Sequence, residues 1–185
     1  MKRSQIWTAP NQLTLLRLLF VPFIAIAVIE GRYGWALGIF IIAGVSDALD
    51  GLLARALQQH TVLGQYLDPI ADKLLLSTLF IVLSVVHKIP WRVTILVFTR
   101  DIFILVVAAL LYLTASIRDF RPTVYGKVNT LAQIITVFMA LLYQIHAAPW
   151  VEYGLRICLW TTVVFTVLSA ASYFVRVSAQ LRQST

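Results

Sequence analysis

The distribution of charge limits this chain more than any other feature. Of its 185 residues 60% are hydrophobic and only 12% charged, whereas average soluble domains carry about 25% charge. The charges are bunched, and between them lie six apolar runs of about 17–25 residues, the length that crosses the hydrocarbon core of a bilayer. A water-soluble globule of this size needs a polar exterior that so few charges cannot supply. The runs fall near 13–30, 35–56, 67–87, 91–115, 126–147 and 153–176, and they predict an all-α integral membrane protein with six transmembrane helices. Six spans of about 20 residues take up about 120 positions, so residues 1–185 form a single membrane domain with no sizeable domain outside it.

The connectors between runs are short, as for antiparallel neighbours. Placing the N-terminus inside puts Lys2, Arg3, Arg17, Arg55, Lys73, Arg118, Arg121, Lys127, Arg176 and Arg182 on or near the cytoplasmic side, and Arg32, Lys88, Arg92 and Arg156 on the other. That asymmetry predicts both termini in the cytoplasm. It also accounts for the net charge of +7 without a nucleic-acid partner. Met1-Lys2-Arg3 and Ala25-Ile26-Ala27 have features of a cleaved leader, but Arg17 interrupts its apolar region and argues against cleavage. Cys158 is the only cysteine, which excludes an intrachain disulfide and a thiolate metal cluster.

Four of the eight acids fall within 26 positions: Asp47, Asp50, Asp68 and Asp72. The first two close the second run and the others open the third. Spacings of three and four put each pair on one helix face, and an antiparallel hairpin lets the two faces meet near the inner membrane surface. Like charges so close repel, so protons or cations must hold them together. An all-carboxylate set suits hard divalent ions, and two such ions about 3.5–4 Å apart form the clamp used for displacement at phosphorus. The plainer alternative is helix capping, with Arg55 and Lys73 as partners; Asp68 before Pro69 has the form of a helix start. A third reading, a non-enzymatic ion or proton transporter, predicts acids spread along a path at mid-membrane depth. Here they share one edge.

The full spacing is Asp47-x2-Asp50-Gly51-x2-Ala54-Arg55-x8-Gly64-x3-Asp68-x3-Asp72. It resembles the signature of the CDP-alcohol phosphotransferase family at every position, and eight fixed residues at roughly one chance in twenty each leave little room for coincidence. Pro10-Asn11-Gln12-Leu13-Thr14 with Arg17 resembles the family's N-terminal start, and the likeness extends over about residues 10–146. The resemblance implies a six-helix homodimer in a membrane, by expectation the bacterial inner membrane with its site facing the cytoplasm. The implied reaction moves the phosphatidyl group of CDP-diacylglycerol to an alcohol and releases CMP. Asp47, Asp50, Asp68 and Asp72 would hold two Mg²⁺ or Mn²⁺ ions, and Asp72 would act as general base. Asn11, Thr14, Gly51, Ala54, Arg55 and Gly64 would bind the CDP-lipid.

Independent chemistry supports part of this assignment. Glycine allows close backbone approach to a ligand, and the planar fork of Arg55 suits diphosphate oxygens. For the acceptor the candidates are Arg100, Arg118 and Lys127, with Asp101, Arg121 and Asn129 beside them. Arg100 and Asp101 stand inside the fourth run, where charge is expensive; adjacent helix positions do not face each other, so each is expected to pair with another helix. Arg100 and the Gly126-Lys127-Val128-Asn129-Thr130 stretch resemble the branch that makes phosphatidylglycerol and cardiolipin. The expected acceptor is a glycerol-type alcohol, with glycerol 3-phosphate placed first and phosphatidylglycerol second.

Overall fold

The computed structural model describes residues 9–57, 62–113 and 124–183. All its regular structure is helical: α1 (Ala9–Ile29), α2 (Tyr33–Leu57), α3 (Val62–Val85), α4 (Trp91–Leu113), α5 (Val124–Ile145) and α6 (Pro149–Gln183). Each helix contains one of the six apolar runs, within a few residues at the ends. The largest extensions are polar turns that hydrophobicity does not mark, such as the stretch of α6 beyond Arg176. One expectation about a boundary fails. Pro69 is not the first residue of a helix, because α3 begins at Val62; the proline therefore sits within the helix, where it withholds the donor for the carbonyl four residues earlier.

The chain divides into two compact units, one built from α1–α3 with residues 140–147, the other from residues 89–139 and 148–185. In the first unit α1 packs against both α2 and α3. Ile24, Ala27 and Val28 meet a buried set that includes Ala36, Phe40, Leu79, Phe80 and Leu83, small residues against large ones. The α1–α2 turn closes tightly. Arg32 N–H reaches the Ala27 carbonyl at 2.8 Å and Gly31 N–H reaches that of Val28 at 3.1 Å, a Schellman pattern whose left-handed position is Gly31 at φ 72°. The same pattern ends α3, with Lys88 N–H on the Leu83 carbonyl and His87 N–H on that of Ser84; here the left-handed residue is His87, at φ 59°.

Lys88 also lies over the Tyr33 ring, 5.8 Å from its centroid. The first residue of α2 is thus beside the residues that follow α3, so the two helices run antiparallel. The end of α2 and the start of α3 share the opposite end of the unit, and so does the start of α1.

Polarity in the second unit is inverted relative to a soluble protein. Asn129, Gln133 and Thr136 of α5 are buried, as are Thr162, Thr166 and Ser169 of α6. Thr166 Oγ1 donates to Asn129 Oδ1 at 2.9 Å, and the Thr136 and Thr162 hydroxyls lie 2.8 Å apart. The outward faces carry Leu131, Ile134, Ile157, Trp160, Val167 and Phe174, with Trp160 72% exposed. Water would reverse that preference, whereas lipid rewards it: polar side chains join helices and apolar ones face the acyl chains. Among the described residues two helices, Val124–Ile145 and the Pro149–Val175 part of α6, are long and apolar enough to cross a membrane by themselves.

Candidate active site

The signature occupies the shared end of the first unit. Asp47, Asp50, Gly51, Ala54 and Arg55 fall in the last three turns of α2, while Gly64, Asp68 and Asp72 fall in the first three turns of α3. Asn11 and Thr14 open α1 at that same end. For all of these except Asp72 the backbone is described and the side chains lie outside the described residues, so the metal and nucleotide assignments rest on placement along the helices. The chain alternates direction to bring these segments together: the tight turn at Gly31 returns α2 past α1, and the 57–62 connection returns α3.

Asp72 is the one motif acid whose surroundings are visible. Arg17 Nη1 donates to its Oδ1 at 2.5 Å, across 55 residues of sequence. Arg17 is 4% exposed and the Asp72 side chain 42% exposed. The guanidinium is therefore buried in the unit while the carboxylate it holds stays partly open. A buried arginine on an apolar helix is costly unless paired, and this pairing also fixes the carboxylate's direction. From sequence Arg17 reads as an interruption in a leader-like run, an inner-surface cation and part of the family-like N-terminal start; its grip on Asp72 comes only with the structure. The available signal was a lone cation well inside an otherwise apolar helix.

Among the described residues no three His, Cys, Asp or Glu side chains gather as a metal cluster. The donor set that would hold divalent ions is the motif itself, four carboxylates on two adjoining helix ends. All-oxygen, anionic donors of that kind fit Mg²⁺ or Mn²⁺.

The acceptor candidates belong to the second unit or lie outside the described residues, as Arg118 and Arg121 do. Lys127 is exposed in the first turn of α5. Arg100 is 7% exposed and bonds Ser169 Oγ through Nε at 3.2 Å and Nη2 at 2.5 Å. Its Nη1 reaches Asp101 Oδ1 at 2.5 Å. Arg100 thus finds a partner on another helix, α6, as expected; the added finding is that its long guanidinium arm also turns back on its neighbour Asp101 with another nitrogen. Asn129, a candidate from sequence, is buried with Gln133 and Thr136, two residues not singled out from sequence although the spacing of four and three on an apolar helix marks one face.

Fold and site together define a class: an all-helical membrane protein with an acidic motif shared between two helix ends and an arginine on a third helix steering one of the acids. The chain belongs to the CDP-alcohol phosphatidyltransferase family, whose sequence model matches residues 7–168. The match runs past residue 146 into α6, further than the motifs alone suggested. It is 35% identical over 191 residues to human cardiolipin synthase (CMP-forming), covering 91% of this chain and 61% of that protein. The rat cardiolipin synthase (CMP-forming) gives the same identity and coverage. A Mycobacterium tuberculosis H37Rv protein named as a probable phosphatidylglycerophosphate synthase is 34% identical over 186 residues, covering 94% of this chain and 83% of that one. The chain thus spans about six-tenths of the length of the two mammalian relatives.

Proposed function

We propose that this chain is a six-span membrane enzyme, both termini cytoplasmic, that transfers the phosphatidyl group of CDP-diacylglycerol to the hydroxyl of a glycerol-type alcohol. The observation that carries the reading is the buried Arg17 holding Asp72 at the end of the unit where the whole signature collects. The acceptor oxygen forms a bond to the phosphatidyl phosphorus while the bond to CMP breaks, and CMP leaves with that electron pair. Asp72 takes the hydroxyl proton; Arg17 positions it. Two divalent ions held by Asp47, Asp50, Asp68 and Asp72 would neutralise the diphosphate. Arg55 would grip its oxygens, and Gly51, Ala54 and Gly64 would leave room for the nucleotide, with Asn11 and Thr14 contributing from α1. Residues 1–185 act as one catalytic domain, which we further propose to be homodimeric and to work at the cytoplasmic face of a bacterial inner membrane.

Phosphatidylglycerol is the acceptor the second unit favours. Its interior arginine, Arg100, is already balanced by Asp101, and position 129 carries a neutral amide bonded to Thr166. Such surroundings suit a phosphodiester better than a phosphomonoester with its extra charge. The names of the relatives point both ways: the human and rat proteins are named cardiolipin synthase (CMP-forming), the Mycobacterium tuberculosis protein a probable phosphatidylglycerophosphate synthase. Glycerol 3-phosphate, the first expectation from sequence, keeps the support of that last relative and of the exposed Lys127, a cation that would meet a monoester.

The test is CMP release by the purified protein from CDP-diacylglycerol, with Mg²⁺ or Mn²⁺, comparing the two acceptors. Release is expected with phosphatidylglycerol, is expected to stop on chelation, and should return when either ion is restored. No CMP with either acceptor from folded protein overturns the enzyme reading; release with glycerol 3-phosphate alone reverses the choice of acceptor.

A further inference from the structure

One side of the second unit carries a groove that touches the acceptor surroundings only at Arg100 and Thr166 and otherwise takes no part in the chemistry above. It runs between α4 and α6 and encloses about 630 Å³ beside Arg92, Arg100 and Thr166. A second hollow of about 420 Å³ continues it along the same helices towards Arg156. Arg92 and Leu96 line both. On α6 the lining follows Arg156, Trp160, Val163, Val167, Ala171 and Phe174, spacings of three and four that trace one helical stripe. At 1.5 Å per residue the stripe is about 27 Å long, comparable with the hydrocarbon thickness of a bilayer of about 30 Å. Its walls are apolar, with Ile95, Phe103 and Phe174 well exposed.

Charge is confined to particular places. Arg100 is balanced by Asp101 and Arg156 by Glu152. Arg92, exposed in the first turn of α4, makes no ion pair with any described residue. An occupant must therefore combine a long apolar body with an anionic group near one end.

We propose that the α4–α6 groove binds an anionic glycerophospholipid of the surrounding bilayer, its phosphate on Arg92 and one acyl chain along the α6 stripe. A second copy of this chain fits less well. A two-fold contact across the groove pairs a surface with itself, which would bring the unbalanced Arg92 towards its own copy, and like charges across an interface are unfavourable. The inference rests on the membrane reading, not on the reaction, and no motif residue takes part.

The experiment is native mass spectrometry of the full chain in non-ionic detergent, with dioleoyl phosphatidylserine or dioleoyl phosphatidylcholine added. Phosphatidylserine is chosen because it is anionic and is not a proposed acceptor, so a failed transferase assay leaves this test standing. Wild type should retain phosphatidylserine over phosphatidylcholine. R92Q should cut that retention about fivefold, the effect of one surface cation on an anionic lipid, and leave phosphatidylcholine unchanged. A171W fills the groove and should remove the retained lipid of either kind. Helical circular dichroism and monodispersity check that both variants fold; R92Q alters an exposed side chain and keeps the test decisive if A171W does not. Equal retention of the two lipids by wild type overturns the proposal. So does unchanged phosphatidylserine retention in R92Q, and so does an A171W protein that keeps its lipid and loses an oligomer, which would assign the groove to a second copy.

Discussion

Asp72 and Arg17 show how much one pair of residues constrains the chemistry. A general base must lie within hydrogen-bond reach of the proton it takes, and a carboxylate free to rotate meets that condition only part of the time. Arg17, anchored by burial, removes the freedom. If Asp72 is the base as proposed, D72N keeps the shape and loses that function, so turnover should fall by about 10²–10⁴-fold with CDP-diacylglycerol binding largely retained; near-normal turnover would remove the assignment. R17Q should lower kcat by about 10–100-fold, the usual cost of losing a group that orients a reactive one, with little change in KM for the CDP-lipid. R17K should recover part of the loss, since lysine restores the charge without the fork. Equal loss in R17Q and R17K, accompanied by lower thermal stability, would make Arg17 merely structural.

The helices derive their boundaries and partners from different sources. Each core lies within an apolar run, so the length of those runs located all six. Their ends depend on local backbone chemistry instead. Gly31 supplies the left-handed residue that ends α1 at no steric cost, whereas His87 fills the same position after α3 against its own preference. H87G should stabilise the protein by about 0.5–1 kcal/mol, read as a higher Tm in detergent, because the hydrogen bonds of the motif belong to the backbone and survive the change. A lower Tm would mean that the imidazole makes contacts worth more than the strain. Pro69 teaches the converse: read locally it marks a helix start, yet α3 carries it within the helix, since tertiary context overrides a local preference.

Across the whole molecule the six helices divide the work. The first three gather the motif at one end of their unit, and the last three bury hydroxyls and amides among themselves while turning large apolar side chains outward. If the spans run as proposed, the Gly31 turn and the motif lie on opposite sides of the membrane. In a C158S background, a cysteine at Glu30 should react with a membrane-impermeant maleimide in intact cells, and one at Gln183 only after lysis; the reverse pattern would invert the topology. Much of this was legible beforehand. Charge scarcity determined the all-helical class, because short-range hydrophobicity is additive along the chain, and the spacing of eight residues pointed to the family, because one reaction needs those groups together. Which side chain reaches which was decided only in three dimensions. Arg17 meets Asp72 across 55 positions, Arg100 crosses to Ser169 while turning back on Asp101, and Asn129 finds Thr166. Each of these contacts depends on how far a flexible side chain extends once the helices have packed, a distance that position in the sequence does not encode.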